Sequence, residues 1–251
     1  MKHAVLALLF MVSTSQAAVT AKSYIVTDMS GNVIMEHAAD DSRAIASITK
    51  LVTTENALHQ ATDEMITVTA EDIKNGRMRS SPLRAGVAYS RGTLVELALV
   101  SSDNVAAIAL WRSSLAHVIP PSTTIVEASG LNPENRSSAR ALAGYARSLY
   151  NTELAATSVK ATTAVGKITR RSTNPLINKP GWQFFLSKTG FINESGGCLV
   201  VITMIKEQLR TIVILGAADT RQRWRDLATL RRELGDSDFS QPSWATKKRA
   251  L

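Results

Sequence analysis

Short apolar runs rich in β-branched residues lie near both ends of the chain and are separated by turn-forming residues. Residues 24–27 and 33–35 flank a Met-Ser-Gly-Asn turn, which predicts a β-hairpin. Residues 182–186, 198–205 and 211–215 are three further apolar runs joined by short connections. Because short connections join antiparallel strands, we expect the two ends of the chain to contribute strands to one antiparallel sheet.

The middle of the chain and its last segment carry apolar residues at helical spacing. The predicted helices span residues 46–58, 94–100, 103–115, 138–150 and 220–234. Thr93 is the expected N-cap of the second helix, with Glu96 completing a capping box, whereas residues 71–92 contain Gly and Pro and are expected to form a loop. This order predicts an α+β fold, in which an antiparallel sheet built from both chain ends accompanies an inserted helical region.

The first residues are typical of a secretory signal peptide. Lys2 precedes an apolar stretch at residues 4–12, and Ser15-Gln16-Ala17 matches a signal peptidase site. The stretch is shorter than the roughly 20 residues that a bilayer-spanning helix needs, although an uncleaved N-terminal anchor is the alternative. We therefore expect a signal peptide at residues 1–17, one domain at 18–240 and a basic tail at 241–251.

Composition and charge narrow the class of protein. The 251 residues are 45% hydrophobic and 20% charged, which is typical of a globular domain with a sizeable core. The net charge is +8, but the basic residues are scattered, with no nucleic-acid-binding motif and no zinc-ligand spacing. We interpret the excess as a solvated basic surface that favours anionic wall polymers or lipids over nucleic acid. The single cysteine, Cys198, excludes an internal disulfide and is expected to be a buried thiol.

Ser47 and Lys50 form a Ser-x-x-Lys pattern at the start of the first predicted helix. Side chains three residues apart share a helix face, so the Lys50 amine can reach the Ser47 hydroxyl. Serine becomes a strong nucleophile when a base removes its proton, and none of the histidines lies in a suitable motif. A neutral lysine is the alternative base. The start of the helix also offers N–H groups to a developing oxyanion. The pattern is frequent by chance, and an ordinary helix start is the other interpretation.

Ser102-Asp103-Asn104 lies between two predicted helices. A hydroxyl and a carboxamide two residues apart can point into one cleft. A simple helix N-cap is the alternative, and both hold if Asp103 caps the helix while facing away from the cleft.

Lys188-Thr189-Gly190 follows a predicted strand. The lysine and threonine can hold a carboxylate, and the glycine allows close approach of backbone and substrate. A surface strand that ends in a turn is the alternative.

The three patterns occur in an order and setting shared by class A β-lactamases and penicillin-binding proteins. The chain resembles the low-molecular-mass penicillin-binding proteins, most closely their D-alanyl-D-alanine endopeptidase branch. Residues 44–51, 99–104, 127–131 and 187–191 carry the resemblance, which extends over nearly the whole mature chain. The interval 104–127 is short for this family, and we expect no counterpart of the β-rich C-terminal domain of many carboxypeptidase members. Both departures leave substrate preference open.

The resemblance implies a β-lactamase/transpeptidase-like fold and a serine DD-peptidase that forms an acyl-enzyme on Ser47. Lys50 would accept the Ser47 proton, and Ser102 would relay a proton to the leaving amine. The N–H groups of Ser47 and Phe191 would form the oxyanion hole. Lys50 must be neutral to act as base, and we expect repulsion by nearby Lys188 to favour the neutral form.

The resemblance also implies the substrate and the setting. Asn104 would hold the substrate amide, while Lys188 and Thr189 would bind the carboxylate of the leaving residue. Gly190 and Phe191 would line the same substrate-binding strand. The substrate would be peptidoglycan stem peptides in the periplasm, with endopeptidase activity favoured over carboxypeptidase activity. β-Lactams would be covalent inhibitors, and no metal or cofactor is expected.

Three alternatives stay open at this point. A class A-like β-lactamase needs a carboxylate that activates the deacylating water, and Glu127 and Glu134 lie in the appropriate region. Glu127 is, however, one residue too far from Leu131-Asn132 for the lactamase Glu-x-x-Leu-Asn pattern. A non-catalytic wall-binding protein would not need the complete set of motif side chains. A basic nucleic-acid binder is disfavoured by the export signal and the scattered charge.

Overall fold

The computed structural model describes residues 18–76 and 81–240. The strands are β1 (Ser23–Thr27), β2 (Val33–His37), β3 (Arg43–Ala44), β4 (Met65–Thr67), β5 (Ala88–Ser90), β6 (Thr123–Thr124), β7 (Arg136–Ser137), β8 (Thr162–Val165), β9 (Ile168–Arg171), β10 (Phe184–Ile192), β11 (Gly196–Ile205) and β12 (Gln208–Ala217). A 3-10 turn at Ala46–Ile48 precedes the helices α1 (Thr49–Leu58), α2 (Ala70–Asn75), α3 (Arg91–Val100), α4 (Asn104–Ser113), α5 (Ala139–Ser148), α6 (Glu153–Ser158) and α7 (Gln222–Glu233).

The predicted terminal segments, the signal peptide at 1–17 and the basic tail at 241–251, lie outside the described residues. The limits of these segments and of the domain between them stay predictions. Within the described part of the chain, every helix is too short or too polar to cross a bilayer.

A five-stranded antiparallel sheet in the order β10-β11-β12-β1-β2 lies at the centre of the fold. Strands from both ends of the chain are neighbours, since Ile25 of β1 pairs with Val213 of β12. Alternate residues of a strand face opposite sides of a sheet. Val200 and Val213 therefore join the core beneath the inserted helices, whereas Ile212 packs in the second core with Trp224 of α7. The predicted α+β architecture, with a sheet built from both chain ends, is confirmed.

Helix α1 is almost entirely buried, and Glu55 and Leu58 are its partly exposed residues. Its threonines tolerate this burial because each hydroxyl has a backbone acceptor. Thr53 Oγ1 donates to Ala128 O at 2.7 Å, and Thr54 Oγ1 donates to Lys50 O at 2.6 Å. The 3-10 turn before α1 contacts the edge strand β10. The start of α1 is thereby fixed against the edge of the sheet.

Residues 71–92, predicted as a loop, contain regular structure. Helix α2 begins at a capping box in which Thr69 Oγ1 accepts from Asp72 N and Asp72 Oδ2 accepts from Thr69 N. Strand β5 then pairs with β4. The prediction was wrong because these elements are short and polar, so apolar periodicity does not reveal them.

The cap of α3 also differs from the prediction. Ser90 is the N-cap, because its hydroxyl accepts from Thr93 N at 3.2 Å. Glu96 completes no box and instead pairs with Lys160 at 2.5 Å. The helix therefore begins three residues earlier than Thr93 suggested.

The prediction that the basic residues form a solvated surface was wrong for three arginines. Arg91, Arg223 and Arg231 are buried, each with 6% or less of its surface exposed. Arg91 lies against Glu64 at 2.6 Å. Long cationic side chains can thus serve as interior hydrogen-bond donors, which their scattered sequence positions did not indicate.

Candidate active site

Ser47 lies in the 3-10 turn that leads into α1, and Lys50 follows one helical turn later. The spacing places both side chains on one face, as predicted, and Lys50 Nζ donates to Ser47 Oγ at 2.9 Å. Ser47 Oγ also lies 3.3 Å from Ser129 O. The proposed nucleophile and base are therefore in direct contact.

Lys50 is completely buried. Its ammonium group has three acceptors: Ser47 Oγ at 2.9 Å, Asn104 Oδ1 at 2.8 Å and Ser129 O at 2.5 Å. Burial lowers the pKa of Lys50 to about 7, against the opposing charges of Glu127 and Asp103. A group with this pKa is available as a neutral base near physiological pH.

The cause of this shift differs from the expectation. Burial dominates the Lys50 pKa, and the charges of Glu127 and Asp103 oppose its effect. Charge repulsion contributes instead to the pKa of Lys188. Burial, followed by the charges of Lys50 and Arg223, holds the pKa of Lys188 well below its usual range. Desolvation, which penalises the charged form of a lysine, thus acts on both amines.

The Ser129 carbonyl is a site group that the sequence did not reveal. Glu127 shapes its loop, since one carboxylate oxygen accepts from Ser129 N and Oγ, both at 2.7 Å. The following Gly130 has φ +82°, and a Cβ there would lie 2.0 Å from Ala46 O. The loop can therefore approach the nucleophile turn only with glycine at this position.

The second motif lies where α3 passes into α4. Asp103 caps α4 by accepting from Ala106 N at 2.9 Å, so the predicted cap is present. Asn104 Oδ1 accepts from Lys50, while its Nδ2 donates to Gly76 O at 3.2 Å. In this geometry the Asn104 side chain holds the base in place, a contact that the sequence did not predict.

The third motif lies on β10, the edge strand beside the nucleophile turn. Lys188 Nζ donates to Ser102 Oγ at 2.9 Å and to Thr189 O at 3.0 Å. Thr189 Oγ1 donates to Thr173 Oγ1 at 2.7 Å. Lys188 therefore links the second motif to the third, and the fold brings all three predicted motifs together.

Gly190 allows β10 to approach the nucleophile turn closely. A Cβ on Gly190 would lie 3.0 Å from Ser47 N and 2.9 Å from Ile45 O. The next residue, Phe191, is 41% exposed. The close approach brings the backbone of β10 beside the Ser47 N–H, as a shared oxyanion hole requires.

A groove of about 830 Å³ borders the loop that carries Ser129. Its walls include Trp111 and Arg112 of α4, Glu127 and Leu131 of the loop, and Glu194 from the β10–β11 turn. These walls combine an aromatic ring, apolar surface and charges of both signs. Such a lining suits a peptide that carries both apolar and ionised groups.

The two carboxylates of the lactamase alternative have other environments. Glu127 Oε2 is held by Ser129, and its Oε1 accepts from Asn132 N and Asn135 Nδ2, both at 3.2 Å. Glu134 is exposed. With both oxygens of Glu127 engaged in shaping the loop, the geometry does not favour a water-activating carboxylate.

Cys198 has the surroundings of a structural thiol. The Cys198 thiol is fully buried, and burial raises its pKa, as expected for a structural thiol. Across residues 18–76 and 81–240, no cluster of three or more His, Cys, Asp or Glu side chains could hold a metal ion.

Known proteins similar in sequence carry a consistent activity in their names. A family model described as D-alanyl-D-alanine carboxypeptidase matches residues 11–120 and 121–219. The D-alanyl-D-alanine endopeptidase of Pseudomonas aeruginosa is 32% identical over 243 residues, which cover 87% of this chain and 78% of that protein. The D-alanyl-D-alanine endopeptidase of Escherichia coli is 30% identical over 248 residues, with 87% and 78% covered.

Solved structures share the fold at lower sequence identity. The D-alanyl-D-alanine carboxypeptidase of Mycobacterium tuberculosis superposes with a TM-score of 0.76 at 18% identity and covers 92% of this chain and 98% of that one. A penicillin-binding protein of Listeria monocytogenes in its cefotaxime-bound form gives 0.70 at 23% identity, with 87% and 98% covered. The transpeptidase-like fold is thereby confirmed. The chain belongs to the D-alanyl-D-alanine carboxypeptidase family and is a serine-type DD-peptidase.

Proposed function

We propose that this enzyme hydrolyses D-alanyl bonds of peptidoglycan stem peptides through an acyl-enzyme on Ser47, with cross-link endopeptidase activity favoured over carboxypeptidase activity. The observation that carries the proposal is the 2.9 Å contact between Lys50 Nζ and Ser47 Oγ, in surroundings that lower the Lys50 pKa to about 7. The names of the relatives from three bacteria support the endopeptidase assignment.

Acylation begins when Ser47 Oγ attacks the carbonyl carbon of the D-alanyl bond. The hydroxyl proton passes to neutral Lys50, and the carbonyl electron pair moves onto its oxygen. The N–H groups of Ser47 and Phe191 are the proposed donors to this oxyanion, supported by the close approach of β10 to the nucleophile turn.

Collapse of this intermediate breaks the C–N bond. The leaving nitrogen takes a proton from Ser102, which regains one from protonated Lys50. Because Lys188 Nζ donates to Ser102 Oγ at 2.9 Å, the hydroxyl hydrogen of Ser102 is free to point toward the leaving group. Water then attacks the ester carbonyl and gives a proton to Lys50. The bond between the carbonyl carbon and Ser47 Oγ breaks, and Lys50 returns the proton to Ser47 Oγ, which restores the free enzyme.

The substrate is anchored by groups on both sides of the cleft. Lys188 and Thr189 are the proposed partners of the carboxylate on the leaving residue. Asn104 carries two N–H groups on one amide, and the one that does not contact Gly76 O is the proposed donor to the substrate carbonyl. The groove beside the Ser129 loop provides room for the second peptide of a cross-link.

Inhibition by β-lactams and export complete the proposal. The engaged carboxylate of Glu127 supports slow deacylation, so a penicillin should remain on Ser47.

Peptidoglycan lies outside the cytoplasmic membrane, so the enzyme must be exported, and we propose cleavage after Ala17 and release into the periplasm. Mass spectrometry of the mature protein, with an N-terminus at Ala18 expected, tests the export step.

The activity is tested by incubating the mature protein with a penicillin and following its intact mass. A persistent one-to-one adduct that Ser47→Ala lacks is expected, while Ser148→Ala, an exposed serine on α5, serves as the matched control and should be acylated normally. Rapid loss of penicillin without an adduct would contradict the proposal and favour a lactamase.

The preferred bond is tested with purified muropeptides. Cross-linked dimers should be converted to monomers, and pentapeptide monomers should lose their terminal D-alanine more slowly. Chromatography with mass detection separates these products. Faster release of D-alanine than of monomers would reverse the assignment from endopeptidase to carboxypeptidase.

A further inference from the structure

Arg223 is a buried cation beneath the third motif. It lies in the first turn of α7, and 6% of its surface is exposed. Its Nη1 donates to Gly190 O at 2.8 Å and lies 3.5 Å from Cys198 O on the neighbouring strand. A side chain of the terminal helix thus contacts the backbone of β10.

The accepting carbonyl belongs to the peptide group that carries the Phe191 N–H. The Gly190–Phe191 peptide is trans, and in a trans peptide the C=O and N–H groups point in opposite directions. With its carbonyl directed toward Arg223, this peptide directs the Phe191 N–H away from α7. The hydrogen bond from the Arg223 guanidinium to Gly190 O therefore helps to orient the Phe191 N–H, the second proposed oxyanion donor.

A charged partner strengthens hydrogen bonds along a peptide chain. A bond from a guanidinium to a carbonyl polarises the whole peptide group. The N–H on its far side becomes more positive and a better donor. The contact from Arg223 to Gly190 therefore increases the strength of the donor and also holds its direction.

The surroundings of Arg223 show that this arrangement is costly to the fold. No carboxylate in the described residues lies within ion-pair distance of it, and its buried Nε has no hydrogen-bond partner there. Burial lowers the pKa of Arg223 to about 10. The charge of Asp219 opposes this shift, although Asp219 forms no ion pair with Arg223. A buried cation without an ion-pair partner destabilises a protein, so the position of Arg223 behind the active site points to a role in the reaction.

We propose that Arg223 is a positioning residue for acyl transfer, which orients and polarises the Gly190–Phe191 peptide so that the Phe191 N–H stabilises the oxyanion. The proposal rests on the proposed function of Ser47 and Phe191. It concerns the transition state, so substrate binding should depend on Arg223 much less than the rate of acylation.

Arg231 offers a matched control on the same helix. It is also buried, its Nη1 donates to the carbonyl of a glycine, Gly181, at 2.7 Å, and its Nε likewise has no partner in the described residues. Its second amino group pairs with Asp236. Arg231→Gln therefore removes a buried cation from α7, together with its ion pair to Asp236, without touching β10 near the nucleophile.

The experiment compares single-turnover acylation by a fluorescent penicillin in wild type, Arg223→Gln, Arg223→Lys and Arg231→Gln. Because removal of a whole oxyanion donor costs about 10²- to 10³-fold, weakening one should slow the acylation step of Arg223→Gln by roughly 10- to 100-fold. The dissociation constant of the preceding complex should change by less than about twofold if binding is unaffected. Arg223→Lys, which keeps a cation, should recover part of the rate.

The infrared band of the acyl-enzyme ester carbonyl gives a readout that lost stability alone does not move. A weaker oxyanion hole polarises this carbonyl less, so the band in Arg223→Gln and, to a smaller degree, in Arg223→Lys should lie at higher wavenumber than in wild type. Arg231→Gln should leave the band in place even where it lowers the melting temperature.

Two outcomes would overturn the proposal and separate it from the proposed function. If wild type forms the Ser47 adduct and both Arg223 variants acylate as fast as Arg231→Gln, with unchanged carbonyl bands, only the role of Arg223 fails. If wild type forms no adduct, the proposed function fails and the role of Arg223 fails with it. If Arg223→Gln does not fold, the acylation rate and the carbonyl band of Arg223→Lys alone decide the outcome.

Discussion

The pH dependence of acylation tests how burial makes a base of Lys50. A lysine with an ordinary pKa of about 10.4 is neutral in roughly 4 of 10,000 molecules at pH 7. With the pKa lowered to about 7, roughly half of the molecules carry the neutral amine, a gain of about 10³-fold. The acylation rate constant divided by the dissociation constant should therefore rise with pH and level off above about 7, since this ratio reports the free enzyme.

Asp103→Asn provides the perturbation. Asp103 raises the Lys50 pKa through its charge and caps α4 through Oδ1. Asparagine caps helices as well as aspartate does, so the substitution removes the charge and keeps the helix. The midpoint should move to lower pH. At pH 6 about one tenth of wild-type Lys50 is neutral, so the variant can gain at most about tenfold there, and the two rates should converge above pH 8.

Stopped-flow mixing with a fluorescent penicillin from pH 5 to 9 measures these profiles. Asp28→Asn, in the β1–β2 turn, changes the net charge equally, whereas the charges that act on Lys50 are those of Glu127 and Asp103. It should leave the midpoint unchanged. A wild-type midpoint near 10, an upward shift in Asp103→Asn, or an equal shift in Asp28→Asn would refute the reasoning.

Three further predictions follow from the same geometry. Lys50→Arg keeps a charge but loses the base, so acylation should fall by roughly 10²- to 10⁴-fold in intact-mass time courses, and near-normal acylation would contradict the role of Lys50. Gly130→Ala should lower the free energy of unfolding by about 3 kcal/mol or more in urea titrations, because its Cβ would lie 2.0 Å from Ala46 O at φ +82°; a loss below about 1 kcal/mol would show that the loop relaxes. Between the folded pKa of about 7 and the unfolded value of 10.5, the unfolded chain binds the extra proton, so Lys50 makes stability rise with pH there. Denaturation of Lys50→Met should show a smaller rise over this window, and an equal rise would contradict the lowered pKa.

The motifs could be predicted from the sequence because their chemistry resides in side chains. The side chains of Ser47 and Lys50 meet because they are three residues apart at the start of a helix, and both the spacing and the helix can be predicted from the sequence. The sheet could be predicted as well, since β11 and β12 each contain a run of four or more consecutive apolar residues. In each case the relevant physics is local to a few consecutive residues.

The remaining site groups are invisible in sequence because they are backbone atoms or depend on tertiary packing. The acceptor at Ser129 is a carbonyl, which every residue has, and only the Glu127 contacts and Gly130 direct it to Lys50. Arg223 is one of many scattered arginines until the fold places its guanidinium behind Gly190. The dominant cause of the Lys50 pKa is likewise burial, a property of packing rather than of neighbours in the chain.

The charges of the two buried lysines, Lys50 and Lys188, influence each other. We expect bound substrate to determine which of the two amines carries a proton. Charge on Lys50 lowers the pKa of Lys188, and by reciprocity a charged Lys188 favours neutral Lys50. A substrate carboxylate beside Lys188 and Thr189 would stabilise the cation on Lys188. Binding of the correct substrate would then hold one proton on Lys188 and keep Lys50 free to accept the proton of Ser47.

This coupling predicts two different midpoints in steady-state kinetics. For a peptide with a carboxylate on its leaving residue, the acid limb of kcat, which reports the complex, should lie at lower pH than that of kcat/KM, which reports the free enzyme. The same peptide with that carboxylate amidated lacks the anion and should show no such separation. The prediction fails if the acid limbs of kcat and kcat/KM coincide for the carboxylate peptide, or if they are equally separated for both peptides. Either result would mean that burial alone sets the pKa of Lys50 and that Lys188 only binds the substrate carboxylate.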